Sequence, residues 1–294
     1  MNELLLAFYI VTLAMIGFFT LTAWLGKKRE VAVRGLTLIG LQNLTCLALW
    51  AGYPIFRLYA ALVLLAGLIE LARHYRAVDE GRIRAAWAVP IQVVVIGASA
   101  ALFIVTERIG VYVIPAGLIL AGFAFLAPAS QVRSQTFGSL FAIGVLALGA
   151  GCLALLSNHD ASAIITFLLL LQMNDAFGLL AGKKFGRTKL FPRISPGKSL
   201  EGYIGGAAGV LAGVLMLNTW IPALSDTSLG KQAIIVCFIL VFGNMGDLLF
   251  SALKRKLGIK DFGRLLPGHG GILDRYDNIL FGAPLFAVIW GMLP

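Results

Sequence analysis

Apolar residues run through this chain in long, nearly unbroken blocks. Blocks near 3–25, 36–53, 55–72, 86–106, 110–127, 137–156, 161–181, 203–223, 232–253 and 277–293 approach or exceed the length that crosses a bilayer, about 17–25 residues for a helix. They predict an all-α, polytopic integral membrane protein with about ten transmembrane helices, in a range of eight to ten. Only the thin turn from Ala51 to Pro54 divides the second block from the third, so that pair also reads as re-entrant. A transmembrane β-barrel would show alternating segments of about ten residues, and none is evident. Lys27, Lys28 and Arg29 follow the first block rather than precede it, so it reads as a retained helix and not as a signal peptide.

Composition agrees with this pattern. Of 294 residues, 59% are hydrophobic and 13% charged, against about 25% charged in a typical soluble domain; mean hydropathy is +0.90. Charge also orients the chain. Of the 24 Lys and Arg residues, 21 fall in the connections after odd-numbered blocks, leaving only Arg57, Arg108 and Lys231 on the other side. Basic residues accumulate in cytoplasmic loops, so the long basic loops are expected inside and both termini outside. The net charge of +10 then follows from topology and attraction to anionic headgroups, and requires no nucleic acid. Cys46, Cys152 and Cys237 stand singly in apolar segments; they read as buried membrane cysteines, without disulfide or zinc spacing.

The chain changes character near Asn158. Before it the blocks are almost free of ionisable groups; after it carboxylates and amides enter the helices. Residues 158–294 are therefore expected to carry the chemistry, and residues 1–157 to form a part made of transmembrane helices. In VFGNMGDLLFSALKR, the residues Asn244, Asp247, Ser251 and Lys254 recur at steps of three, four and three, which places them on one helix face. An acid at membrane depth is a functional-site hypothesis by default, with a structural hydrogen bond or ion pair as the alternative. Asp274 and Asp277 in LDRYDN are one helical turn apart. Joined by an acid from another helix, they would form an oxygen site suited to Mg²⁺, which takes one or two carboxylates and completes its shell with water and phosphate. The competing reading has Asp274 capping the helix while Arg275 and Asp277 pair locally.

Between these acids, GRLLPGHGG contains Pro267, Gly268, Gly270 and Gly271 around His269; its backbone can turn tightly and approach a phosphate. A second polar island holds Asn174 and Asp175 and ends in a basic loop of six Lys/Arg, from Lys183 to Lys198. Its PGKS is not a phosphate-binding P-loop, because Pro192 stands where the first Gly is required and no strand is predicted before it. The loop can still hold anionic phosphates, or serve only as a topology signal.

Taken together, Ser251, Leu253, Lys254, Arg255, Lys260, Asp261, His269, Gly270, Gly271, Ile272, Asp274, Arg275 and Asp277 resemble the signature of the phosphatidate cytidylyltransferases, or CDP-diacylglycerol synthases. Ser195, Pro196, Lys198, Ser199, Glu201 and Gly202 resemble that family's preceding basic segment. The resemblance covers about residues 170–280; residues 1–157 match only in being apolar helices, and on this resemblance they would accommodate the lipid chains.

It implies transfer of the cytidylyl group of CTP to phosphatidic acid, with pyrophosphate released. It also implies Mg²⁺, for which Mn²⁺ could substitute, and in some members a monovalent cation such as K⁺. Asp247, Asp274 and Asp277 would be the metal ligands, with Lys254 and Arg275 also catalytic. Lys198, Ser199, Ser251, Arg255, Lys260, His269, Asn174 and Asp175 would contact substrate. The expected setting is the cytoplasmic face of a bacterial inner membrane, and a homodimer stays open. Competing expectations are CTP-dependent activation of another lipid phosphate, a CTP-dependent polyprenol kinase and, from another class, a lipid or ion transporter.

Overall fold

The computed structural model describes residues 40–41, 43–78, 144–145, 149–153, 156, 161–219, 221–256, 258–263, 266 and 270–291. The blocks expected at 3–25, 86–106 and 110–127 lie outside these residues, as does His269. The described part is helical: α1 (Tyr53–Val78), α2 (Ala161–Phe185), α3 (Leu200–Leu217), the short α4 (Pro222–Ser225), α5 (Leu229–Lys256) and α6 (Leu273–Gly291). Among the described residues, four stretches are long and apolar enough to cross a membrane: Tyr53–Leu71, Ala161–Phe185, Leu200–Leu217 and Leu229–Arg255. α6 is not among them; its first turn carries Asp274, Arg275 and Asp277.

Ahead of α1, residues 43–50 are helical, and the chain reverses at Gly52, whose φ of 104° suits a residue without a Cβ. The thin turn therefore separates two helices. The block expected at 203–223 instead ends its helix at Leu217, and the block expected to begin near 277 begins at Leu273. That earlier start puts Asp274 into the first turn of α6.

The basic loop contains strand structure that an all-α reading did not anticipate. β1 (Lys189–Phe191) and β2 (Ser195–Ser199) form an antiparallel hairpin, with Lys189 opposite Ser199 and Phe191 opposite Ser195. Glu201 fastens the hairpin to α3 by accepting the N–H groups of Arg187 and Thr188, each at 3.1 Å. Ser199 is the N-cap of α3, its hydroxyl accepting the Gly202 N–H at 3.2 Å.

α2 and α3 lie against each other through small residues. A Cβ at Gly206 would stand 2.5 Å from Asn174 Oδ1, and one at Gly209 would stand 2.6 Å from the Met173 carbonyl oxygen. Membrane helices lack a strong hydrophobic drive to associate, and small residues let their backbones approach. Below the polar face, Phe167 of α2 stacks on Phe286 of α6 at 4.7 Å between ring centroids. Among the described residues Cys46 is buried, Cys152 half-buried and Cys237 exposed on α5, so only the first is fully buried as expected.

Candidate active site

The polar residues of α2, β2, α3, α5 and α6 converge on a cleft of about 530 Å³. Asn174, Asp175, Lys198, Ser199, Asp247, Asp274, Arg275 and Asp277 all line it. Its apolar wall includes Leu41, Leu168, Leu171 and Leu179.

Lys198 crosses from β2 to α5. Its Nζ lies 2.8 Å from Asp247 Oδ2 and 3.2 Å from Asn244 Oδ1, and 6.0 Å from the centre of the Tyr203 ring. Ser251 reaches the other Asp247 oxygen only at 3.5 Å. The Asp247 charge acts on both Asp175 and Asp277, which also feel the Arg275 guanidinium. Asp277 is buried; its Oδ1 accepts the Asn278 N–H at 2.8 Å, while its Oδ2 has no hydrogen-bond partner among the described residues. A buried carboxylate oxygen without a donor is costly unless a cation reaches it.

Asp274 is differently placed. Its Oδ1 takes Lys254 Nζ at 2.8 Å, and its Oδ2 accepts the N–H groups of Phe262 at 2.7 Å and Gly271 at 2.9 Å. Both oxygens are therefore engaged by the protein, and residues 262 and 271 are brought to one carboxylate. These amides belong to the loop before α6 and not to the helix, so Asp274 ties that loop to α5 rather than capping α6, and no Arg275–Asp277 pair is seen among the described residues. Lys254, expected at the phosphates, is buried against Asp274 and the Phe262 ring and is absent from the cleft lining. Arg255 and Lys260 are exposed outside the lining, and Ser199 lines the cleft with its hydroxyl committed to the cap.

Among the described residues, no three His, Cys, Asp or Glu side chains are grouped closely enough to hold a metal alone. The expected trio of Asp247, Asp274 and Asp277 therefore does not stand as a ready cluster; Mg²⁺ would need fewer carboxylates and a shell completed by phosphate and water. The orphan oxygen of Asp277, close enough to Asp247 to feel its charge, fits such an ion.

Two functional candidates escaped the sequence reading. Asn278 lines the cleft, and its Oδ1 accepts the Asp247 N–H at 2.5 Å. Glu70 is buried in α1 and bonded to the start of α6. The available signal for Glu70 was a lone acid near the end of an apolar block; Asn278 offered none beyond its place beside Asp277.

A sequence model described as the cytidylyltransferase family matches residues 32–293. The chain belongs to that family. Among curated relatives, it is 41% identical over 122 residues to the phosphatidate cytidylyltransferase of Thermotoga maritima, covering 40% of this chain and 45% of the relative. It is 41% identical over 131 residues to the Bacillus subtilis enzyme of the same name, covering 44% and 47%. With the uncharacterized protein YnbB of Escherichia coli K12 it shares 35% identity over 181 residues, covering 57% and 60%. The chain spans about half the length of the curated relatives it matches. Family membership and the four apolar helices describe a membrane protein of the cytidylyltransferase type.

Proposed function

We propose that this protein transfers the cytidylyl group of CTP to phosphatidic acid, giving CDP-diacylglycerol and pyrophosphate in phospholipid biosynthesis. The observation that carries this reading is the cleft itself. It joins Asp247 and Asp277 to Lys198 and Arg275 beside an apolar wall, a setting for a metal, a triphosphate and a lipid phosphate together. Curated relatives named phosphatidate cytidylyltransferase support the same reaction. The enzyme is a multi-pass protein of a bacterial inner membrane with its cleft at the cytoplasmic face, where the exposed Lys183, Lys184 and Lys189 cluster. Residues 158–294 carry the chemistry, and residues 1–157 most of the lipid accommodation.

Asp247 and Asp277 would hold Mg²⁺ or Mn²⁺, with Asp175 at the rim of the same charge group. When bound, the cation neutralises phosphate oxygens and favours departure of pyrophosphate. Lys198 and Arg275 supply fixed positive charge to phosphates in the cleft, where catalysis is mostly positioning and charge neutralisation. An oxygen of the lipid phosphate bonds to the α-phosphorus of CTP. The bond from that phosphorus to the oxygen bridging the β-phosphate breaks, and pyrophosphate leaves with the electron pair. The attacking phosphate is already ionised, so no protein base is needed. Lys254 acts behind the cleft, where its pair with Asp274 holds the floor.

The test is incubation of the purified protein with CTP labelled at the α-phosphorus, Mg²⁺ and a panel of lipid phosphates and polyprenols. The expected products, identified by mass, are CDP-diacylglycerol and pyrophosphate. Release of CDP with a phosphorylated polyprenol would replace this reading with a kinase. A CDP-lipid formed only from another acceptor would change the substrate and retain the chemistry.

A further inference from the structure

Glu70 lies in α1, 202 residues before Ile272, yet its carboxylate is fixed to the start of α6. Oε1 accepts the Ile272 N–H at 3.0 Å and Oε2 the Leu273 N–H at 2.9 Å. These are amides at a helix N-terminus, a group of donors that the helix itself cannot satisfy. A carboxylate supplies two acceptors and a charge favoured by the positive end of the helix, which offsets the cost of burying it. Gly263 and Gly271, before α6, approach this side chain closely. A Cβ at Gly263 would stand 2.4 Å from Glu70 Oε1, and one at Gly271 would stand 2.2 Å from Oε2. The glycine at 271 thus has a reason within the protein, beyond any approach of backbone to phosphate.

α6 carries Asp274, Arg275 and Asp277 within its first five residues, so what fixes its start fixes all three. The Ile272 carbonyl receives the N–H groups of Arg275 at 2.9 Å and Tyr276 at 3.1 Å, which transmits the position of residue 272 directly into that turn. A second tie from α1 reaches the same turn, where the Tyr59 and Tyr276 hydroxyls are hydrogen-bonded. Tyr59 is held in turn by Thr45 at 2.6 Å.

We infer that Glu70 is a positioning residue: it sets the height and rotation of the α6 N-terminus, and so places Asp277 and Arg275 relative to Asp247. This rests on the function proposed above for its effect on turnover, but its structural part does not. Residues that orient metal ligands typically account for about 10–100-fold in metal affinity or activity.

The experiment compares wild type with Glu70→Gln and Glu70→Ala in detergent, by three readouts. Hydrogen exchange of peptides spanning residues 270–276 should be about tenfold faster in Glu70→Gln, because one carboxylate oxygen becomes a donor facing a donor. Mn²⁺ affinity, measured without nucleotide, should fall about 10-fold or more. In the CTP assay kcat should drop about 10–100-fold with KM for CTP nearly unchanged, Glu70→Ala being worse than Glu70→Gln. Gln preserves size and one acceptor, so it supplies the result if Ala does not fold. Unchanged exchange and Mn²⁺ affinity in folded Glu70→Gln overturn the inference. So does a variant that loses only thermal stability and keeps wild-type kcat per folded molecule. If wild type makes no CDP-lipid while exchange and Mn²⁺ affinity still respond, the proposed function fails and the role of Glu70 stands.

Discussion

Replacing Lys254 with Ala separates a structural lysine from a substrate-binding one. Lys254 Nζ and Asp274 Oδ1 are 2.8 Å apart, with side chains 11% and 1% exposed. Removing the lysine leaves a buried carboxylate with only the Phe262 and Gly271 amides as donors. Breaking a buried ion pair from one side costs about 3–5 kcal/mol. At about 2–4 °C per kcal/mol in a chain of this order of size, the melting midpoint should fall by roughly 6–20 °C. Differential scanning fluorimetry in detergent reads the loss, and bound CTP at a temperature where the variant remains folded reads the site. Lys254→Ala combined with Asp274→Asn should recover part of the stability, since the stranded charge is gone. The reasoning is refuted if Lys254→Ala melts within about 2 °C of wild type and has lost CTP affinity, for then the lysine serves the ligand and not Asp274.

Three further outcomes are expected. Lys198→Ala should raise KM for CTP or the lipid phosphate by roughly 10–100-fold, the equivalent of one charge-assisted hydrogen bond of about 1.5–3 kcal/mol; wild-type kinetics for both substrates would reduce the basic hairpin to a topology signal. Asp247→Asn and Asp277→Asn should each abolish Mg²⁺-dependent turnover while the protein stays folded by circular dichroism, since the amide keeps the shape and loses the charge; near-normal activity in either removes that residue from the metal site. In a cysteine-free background, cysteines at the exposed Thr188 and Ser228 should be labelled from opposite faces of sealed vesicles, and labelling of both from one side overturns the topology.

What the sequence revealed depended on whether a relation lay within one helix or between two. Asn244 and Asp247 both line the cleft, as a spacing of three on one helix requires, and the turn between Asp274 and Asp277 was legible in the same way. The partner of Lys254 was not. It stands 20 residues away on another helix, and the vertical register between packed helices sets that meeting, which no local spacing encodes. Glu70 is the extreme of this case. Its partners are backbone amides, which have no residue type to recognise. The hairpin at residues 189–199 was hidden because Lys, Arg and Pro are five of its eleven residues, and Glu201 fixes its approach to α3 through backbone N–H groups.

The two lysine–aspartate pairs explain how one charged face can be both rigid and reactive. α5 contributes Asp247 to one pair and Lys254 to the other, seven residues and so about two turns apart. Through them β2 is joined to α5, and α5 to α6. Their surroundings differ. In the Lys198–Asp247 pair the side chains are 17% and 34% exposed, so water can screen each partner if the other turns to a phosphate or a cation. A pair partly open to water is worth less than one sealed from it, and exchanging it for a ligand costs correspondingly less. The Lys254–Asp274 pair has no such freedom, because separating it strands a charge away from water. The half-buried pair can therefore rearrange around substrate while the buried pair holds α6 beside residues 262 and 271. This is why Lys198, and not the more deeply buried Lys254, is the lysine expected to meet the triphosphate.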